Sequence, residues 1–308
     1  MHRRWLWLVQ GAVTVLVVAF AAKVLTRNWS ELRGLDVVVR IRPGWLLLSA
    51  GAVAVAYIVQ IESWRRILAG WSQPLAFATA ARIWCVANLA RYVPGKVWSI
   101  AGLVVLAQRA GVPAGVTTAS SVAIQALGLG SGVVVAVASV PRSVPALGLA
   151  AAAAIAVLTT LVLVWEAPVR WLARLLGSTY PLRTLPWRAA AAAGTFTTVG
   201  WVTYGVAFWL LAHGLLAIPA PPLGLPVVAA VGVFALGYIL GWVALLAPGG
   251  LGVRELALVG LLTPFLGGGD ALAVTLASRV LLTLTELGAA LITMAVGIRP
   301  KESPVDPH

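Results

Sequence analysis

The feature that most constrains this chain is the recurrence of long apolar segments from end to end. About 20 apolar residues are enough for one helix to cross the roughly 30 Å hydrocarbon core of a bilayer. Charged residues make up only 10% of the chain and hydrophobic ones 61%, which excludes an ordinary soluble domain. We therefore predict an all-α, polytopic transmembrane helix bundle, with spans at Trp5 to Leu25, Trp45 to Ile61, Thr117 to Val140, Ala146 to Trp165, Ala189 to His213 and Ala271 to Val296.

The polar stretches between these spans are too short to fold separately, so we expect one transmembrane domain over residues 1–298 and a short polar tail over 299–308. The first apolar run is longer than a signal-peptide core, which favours a retained span. A single cysteine, Cys85, excludes an internal disulfide and a multi-cysteine metal site. No G-x-x-x-x-G-K-[ST] loop occurs, and the GLGLGSG segment at Gly128 lies inside an apolar span, where it suits helix packing. We expect neither a metal nor a cofactor.

Two further apolar regions, near 75–110 and 225–266, are interrupted close to their middles. The interruptions are PGK at Pro94 and PGGLG at Pro248. Proline removes a backbone donor and glycine loosens the chain, so a straight helix through either point is disfavoured. We expect two re-entrant hairpins of half-helices, with breaks at Pro94, Gly95, Pro248, Gly249 and Gly250.

The distribution of basic residues predicts the topology, because Lys and Arg collect in short cytoplasmic loops. With both interrupted regions re-entrant, four basic segments share one side: the N-terminal HRR, the SWRR at Ser63, the arginine-rich stretch 170–188 and the C-terminal end. Both termini are then cytoplasmic, in the plasma membrane of a prokaryote. The arginines between positions 27 and 42 would lie outside, against the rule.

The two interrupted regions resemble each other, which predicts an internal repeat. VPGKVWSIAGLVVLAQRAG starts at Val93 and APGGLGVRELALVGLLTPFLGG at Ala247; ASSV follows the first and ASRV the second. Three predicted spans separate the two hairpins, so the copies would enter the membrane from opposite faces. Broken helices in such inverted repeats mark a binding site near the midplane.

Cations cluster beside both breaks, and we predict that four of them bind a lipid headgroup: Arg91, Lys96, Arg254 and Arg279. A helix start favours anions, and a charge at membrane depth normally faces a cavity or a partner. Supporting polar and acidic residues are Asn88, Gln125, Glu255 and Glu286.

Each of these residues also has a structural interpretation. The two cations of the first motif could extend to the membrane surface. Arg279 and Glu286 are seven residues apart and share a helix face, so they could form a structural pair. Arg254 and Glu255 point in different directions and could have separate partners, and the amides Asn88 and Gln125 could bridge helices.

Three motifs carry a resemblance to a known family: NLARYVPGKVW at Asn88, AQRAG at Ala107, and APGGLGVRE at Ala247 with ASRV downstream. Over residues 75–296 the chain resembles the flippase-like, lysylphosphatidylglycerol synthase transmembrane family. That resemblance implies relatives in the lipid-translocating part of aminoacyl-phosphatidylglycerol synthases and in proteins linked to export of hopanoids or polyprenyl-linked sugars. The chain departs from it at Ile100 to Leu103, where an arginine is expected, and at Gln125, where an acid is expected. These departures argue against charge coupling in the first half.

The motifs and the resemblance together favour a protein that translocates or presents an amphipathic, anionic lipid or lipid-linked precursor. The alternatives are a membrane-embedded transferase on lipid-linked substrates and an accessory scaffold for a synthase or glycosyltransferase. Nine Asp and Glu residues in the whole chain provide few groups for acid–base or metal chemistry, which favours a non-enzymatic protein. Expected partners are an anionic phospholipid or a polyprenyl-linked or hopanoid lipid, with a synthase or glycosyltransferase as a further candidate and no nucleic acid.

Overall fold

The computed structural model describes residues 41–90, 97–139, 184–216, 224–243 and 252–296, together with positions 154 and 158. Within these ranges the chain forms eight helices: α1 (Pro43–Gly70), α2 (Phe77–Leu89), α3 (Val97–Arg109), α4 (Ala114–Ala138), α5 (Trp187–Leu215), α6 (Val227–Val243), α7 (Val253–Leu266) and α8 (Gly268–Ala295). The predicted all-α bundle is confirmed. The predicted spans Trp5 to Leu25 and Ala146 to Trp165 lie outside the described residues, apart from the isolated positions 154 and 158.

Four of the described helices, α1, α4, α5 and α8, are long and apolar enough to cross a membrane. They correspond to four predicted spans. Proline fixes the backbone at three of their starts, since α1 begins at Pro43 and Pro113 and Pro186 immediately precede α4 and α5. The chain is therefore a multi-pass helix bundle.

The helix that contains the predicted span Trp45 to Ile61 extends beyond that span, because α1 continues to Gly70 through the SWRR segment. Glu62 forms ion pairs with both Arg65 and Arg66 on the same helix. These pairs stabilise the charged side chains, so the helix continues through them. Trp64 is fully buried and donates its indole N–H to Ser120 Oγ on α4 over 2.9 Å. The segment is a helix turn that packs against the bundle, not a surface loop.

α1 and α5 form the central antiparallel pair. Ser49 Oγ donates to the Ala207 carbonyl over 2.6 Å, and Ser63 Oγ donates to the Ala193 carbonyl over 2.8 Å. Small residues let these backbones approach closely, as is usual between helices in a membrane. The glycine-rich segment of α4 packs on α5, where Trp201 donates its indole N–H to the Gly128 carbonyl over 2.8 Å.

Each predicted interrupted region contains two short helices: α2 and α3 in the first, α6 and α7 in the second. The members of each pair pack against each other. A Cβ built on Gly237 would lie 2.5 Å from Leu258 Cδ2, and one built on Gly241 would lie 2.7 Å from Arg254 Cβ, so α6 and α7 run antiparallel. The breaks at Pro94, Gly95, Pro248, Gly249 and Gly250 lie outside the described residues. Entry of each pair from one membrane face, and the internal repeat, stay predictions.

Candidate functional site

A cavity of about 300 Å³ lies inside the bundle, and all eight described helices contribute to its lining. Five of the residues singled out from the sequence line it: Asn88, Gln125, Arg254, Arg279 and Glu286. They come from α2, α4, α7 and α8, so the fold collects polar groups that are up to 198 positions apart in the chain. Two other predicted cations, Arg91 and Lys96, lie outside the described residues.

Arg254 is the most unusual group in this lining. It is 8% exposed, and its Nε and Nη2 atoms are buried without a hydrogen-bond partner in the described part of the chain. Buried donors are almost always paired, because an unmade hydrogen bond costs about 1–3 kcal/mol and more for a charged group. An unsatisfied, buried guanidinium beside a cavity is therefore a group that a ligand can satisfy.

Aromatic rings hold the Arg254 guanidinium in place. Its Cζ lies 5.0 Å from the ring centre of Tyr238 and 5.6 Å from that of Phe234, both on α6. A cation over a ring face is stabilised by the ring quadrupole, but the ring accepts no conventional hydrogen bond. The rings therefore stabilise the charge while leaving N–H donors available.

Arg279 has a different environment, because it forms an ion pair with Glu255 on α7. The other carboxylate oxygen of Glu255 accepts the backbone N–H of Gly252 over 2.7 Å, at the start of α7. Gly252 has a φ of +84°, a conformation that glycine adopts without strain. The structural pairing of Arg279 with Glu286 considered from the sequence is thus corrected, since a carboxylate on the neighbouring helix pairs with Arg279.

The predicted shared face of α8 is present. Arg279 and Glu286 both line the cavity, with Leu282 and Thr283 between them at helical spacing. Glu286 is 5% exposed. The cavity therefore has a buried acid as well as buried bases on its walls.

The two amides make hydrogen bonds within their own helices. Asn88 Nδ2 donates to the Trp84 carbonyl over 2.9 Å, and Gln125 Nε2 donates to the Ser121 carbonyl over 3.1 Å. These bonds run to the residue four positions earlier and do not bridge helices. The bridging interpretation is thus not supported by these two contacts.

Sequence reasoning missed an aromatic wall that runs along the cavity. Ring-to-ring contacts of 5.5–6.3 Å connect Tyr57, Tyr204, Phe234, Tyr238 and Trp201 in that order. These rings come from α1, α5 and α6, so no local spacing in the sequence could have revealed the wall. Two of them, Phe234 and Tyr238, contact the Arg254 guanidinium.

Gln60 on α1 was missed as well, although the rule that identified Gln125, a polar residue inside an apolar helix, applies to it equally. Its side chain lines the cavity, and its Oε1 atom is buried without a hydrogen-bond partner in the described ranges.

Comparison with known proteins identifies the family. No curated protein matches the chain. The family model described as "Lysylphosphatidylglycerol synthase TM region" matches residues 7–289, which is nearly the whole sequence. The resemblance inferred from the two Pro-Gly motifs is confirmed, and the chain belongs to the lysylphosphatidylglycerol synthase transmembrane-region family.

Proposed function

We propose that this protein binds the anionic headgroup of an amphipathic lipid in the cavity and translocates or presents that lipid at the membrane. The observation that carries the proposal is Arg254, a buried cation in the cavity lining, two of whose nitrogens have no hydrogen-bond partner among the described residues. A phosphate oxygen matches the guanidinium both in charge and in hydrogen-bond geometry. The family supports a lipid context, since its name refers to the membrane part of a lipid synthase.

The size of the cavity supports a headgroup and not a whole lipid. Its volume of about 300 Å³ is at the lower end of the range of roughly 300–1,000 Å³ for small-molecule sites. The acyl or isoprenoid tail would remain in the hydrocarbon of the bilayer. This division suits a protein that handles lipids at the headgroup.

Charge matching assigns different roles to the two described arginines. Glu255 already balances Arg279, so Arg279 contributes mainly to positioning α8 beside the cavity. Among the described residues, no carboxylate lies within hydrogen-bond distance of Arg254, which is the principal hydrogen-bond donor to the anion in this proposal. Arg91 and Lys96 belong to the proposal as further cations near the first helix break.

The proposal also includes a location: the plasma membrane of a prokaryote, with both termini cytoplasmic.

The binding step is tested by lipid-dependent thermal stabilisation of the purified chain in detergent. Dioleoyl phosphatidylglycerol should stabilise the wild-type protein more than dioleoyl phosphatidylcholine does. A charge-assisted hydrogen bond contributes about 1.5–3 kcal/mol, so Arg254→Gln should weaken the apparent affinity for the anionic lipid roughly tenfold to a hundredfold. The matched control is Arg188→Gln, because Arg188 is exposed at the start of α5.

Equal stabilisation of wild type and Arg254→Gln by the anionic lipid would contradict the headgroup site. Translocation is tested separately, with a fluorescent phosphatidylglycerol and a membrane-impermeant quencher in proteoliposomes. The wild-type protein should expose inner-leaflet label to the quencher faster than Arg254→Gln does. Equal rates for both and for empty liposomes would favour an accessory scaffold.

A further inference from the structure

We propose that Glu286 takes up a proton when the headgroup anion binds at Arg254, so that the lipid and a proton are bound together. This inference rests on the proposed headgroup site and adds a second ligand, the proton, to it. The proton comes from the surrounding water and is bound by a carboxylate oxygen of Glu286. Its positive charge balances the negative charge of the phosphodiester, so the net charge of the cavity is the same before and after binding.

The charged side chains that α7 and α8 bring to the cavity region are balanced in number. Arg254 and Arg279 provide two positive charges, and Glu255 and Glu286 provide two negative charges. All four side chains are mostly buried. An entering anion adds a negative charge that this set does not compensate. Such a charge is costly in a poorly hydrated site, and protonation of a nearby carboxylate removes that cost.

The position of Glu286 allows it to respond to an anion at Arg254. Glu286 lies on the face of α8 that lines the cavity, and Arg254 of α7 lines the same cavity. The two side chains interact electrostatically, so the negative charge of Glu286 stabilises the guanidinium. A phosphate bound to Arg254 takes over this stabilising role. Its own negative charge then disfavours the ionised form of Glu286, because like charges repel strongly where little water screens them.

Most of the other titratable groups around Glu286 cannot accept a proton near pH 7. α8 packs against α1, α2, α5 and α7. Arginine is already protonated at this pH, and tyrosine and cysteine side chains are neutral, with their protons in place. These groups are Arg254 and Arg279, Cys85 of α2, which interacts electrostatically with Glu286, and the cavity-lining tyrosines Tyr57, Tyr204 and Tyr238.

The second carboxylate of the cluster, Glu255, is already engaged. One of its oxygens accepts a hydrogen bond from Arg279, and the other accepts one from the Gly252 backbone N–H. Protonation of Glu255 would disrupt the ion pair that holds α7 beside α8. Among the described residues around the cavity, Glu286 is therefore the proton acceptor that the anion can influence at the lowest cost.

The experiment counts the protons taken up during binding, by isothermal titration calorimetry of the full chain in detergent. Dioleoyl phosphatidylglycerol is titrated at equal pH in Pipes and in Bis-Tris, whose ionisation enthalpies differ, so a proton taken up changes the measured heat. A phosphodiester lacks the second ionisation, near about pH 6, of a phosphate monoester, so the lipid itself contributes no proton.

The wild-type protein should take up close to one proton per lipid at the maximum of a series from about pH 5 to pH 8, a range in which buried carboxyl groups can titrate. Because the bound state holds more protons than the free state, the affinity should fall as the pH rises, by up to about tenfold per pH unit.

Glu286→Gln should bind the lipid without proton uptake and with an affinity that does not depend on pH, because its amide is neutral and similar in shape to a protonated carboxyl group. Glu62→Gln is the matched control, since Glu62 lies on α1 outside the cavity lining and pairs with Arg65 and Arg66. It should retain the wild-type proton uptake. If Glu286→Gln fails to fold, Glu286→Asp serves instead. It should keep the uptake but change the pH at which uptake is greatest, since its carboxylate is displaced by the length of one methylene group.

Three results would overturn the inference: binding to the wild-type protein without proton uptake, a folded Glu286→Gln variant that takes up protons as the wild type does or no longer binds the lipid, or an unchanged pH of greatest uptake in Glu286→Asp. All three leave the proposed headgroup site intact as long as the wild-type protein binds phosphatidylglycerol more tightly than phosphatidylcholine. If it does not, the proposed headgroup site itself fails, and the inference fails with it.

Discussion

Neutralising Arg279 should destabilise the fold more than it alters the ligand site. In Arg279→Gln, the carboxylate of Glu255 loses its charged partner while remaining mostly buried, with 17% of its side chain exposed. Breaking a buried ion pair from one side costs about 3–5 kcal/mol. Glu255 keeps its hydrogen bond from the Gly252 backbone N–H. We therefore expect a loss of stability at the lower end of this range, about 3 kcal/mol.

Thermal unfolding in detergent, followed by the fluorescence of the 14 tryptophans, measures this cost. For a domain of this size, 1 kcal/mol corresponds to roughly 2–4 °C, so the Tm of Arg279→Gln should fall by roughly 6–12 °C. Arg188→Gln is again the control, and its Tm should change little because exposed charges contribute about 0–1 kcal/mol.

The double variant Arg279→Gln with Glu255→Gln separates pairing from other effects. Neither partner of the ion pair between α7 and α8 then carries a charge, so the loss of stability in the double variant should be smaller than the sum of the two single losses. A strictly additive double variant would refute the ion-pair reasoning. So would an Arg279→Gln protein as stable as the Arg188→Gln control.

Further predictions concern packing, access and topology. Gly132→Ala should lower the Tm, because its Cβ would lie 2.8 Å from a buried indole ring and overpacking costs about 1–3 kcal/mol. Gly260→Ala, which has open space around it, is the control and should leave the Tm unchanged. Equal effects of the two substitutions would contradict the packing. Cysteine at Gly249, in a cysteine-free background, should react slowly with a small soluble thiol reagent and be protected by lipid, while reaction as fast as in a loop control would place the motif in a surface turn. Reporter fusions at Val144 and Arg183 should report opposite sides of the membrane, and the same side for both would refute the predicted topology.

The positions of the helices were largely predictable, because the length of an apolar segment indicates whether a helix can span the membrane. Four predicted spans coincide with α1, α4, α5 and α8, and each Pro-Gly interruption lies between two short helices. The extension of α1 beyond the predicted span was not predictable from apolar length, since the SWRR segment is charged. In the structure Glu62 pairs with two arginines one turn further along, and a buried Trp64 anchors that turn.

The site was predictable only in part. Rare polar residues in apolar helices identified Arg254, Arg279 and Glu286, because a charge at membrane depth is costly without a role. The pairing of Arg279 with Glu255 was not predictable, since it depends on how α8 packs beside α7 after the turn at Gly267, where φ is +80°.

The close approach of Gly241 to Arg254 has a consequence for comparing related sequences. A methyl group at position 241 would lie 2.7 Å from Arg254 Cβ, so α7 could not stay where it is. The position of the cation therefore depends on a residue that contributes no side chain. Among homologues, we expect substitutions at these two positions to be correlated: glycine where the arginine is kept, and larger residues only where it has been replaced. An alignment in which alanine or valine at this position commonly accompanies the arginine would show that α6 and α7 can separate without loss of function.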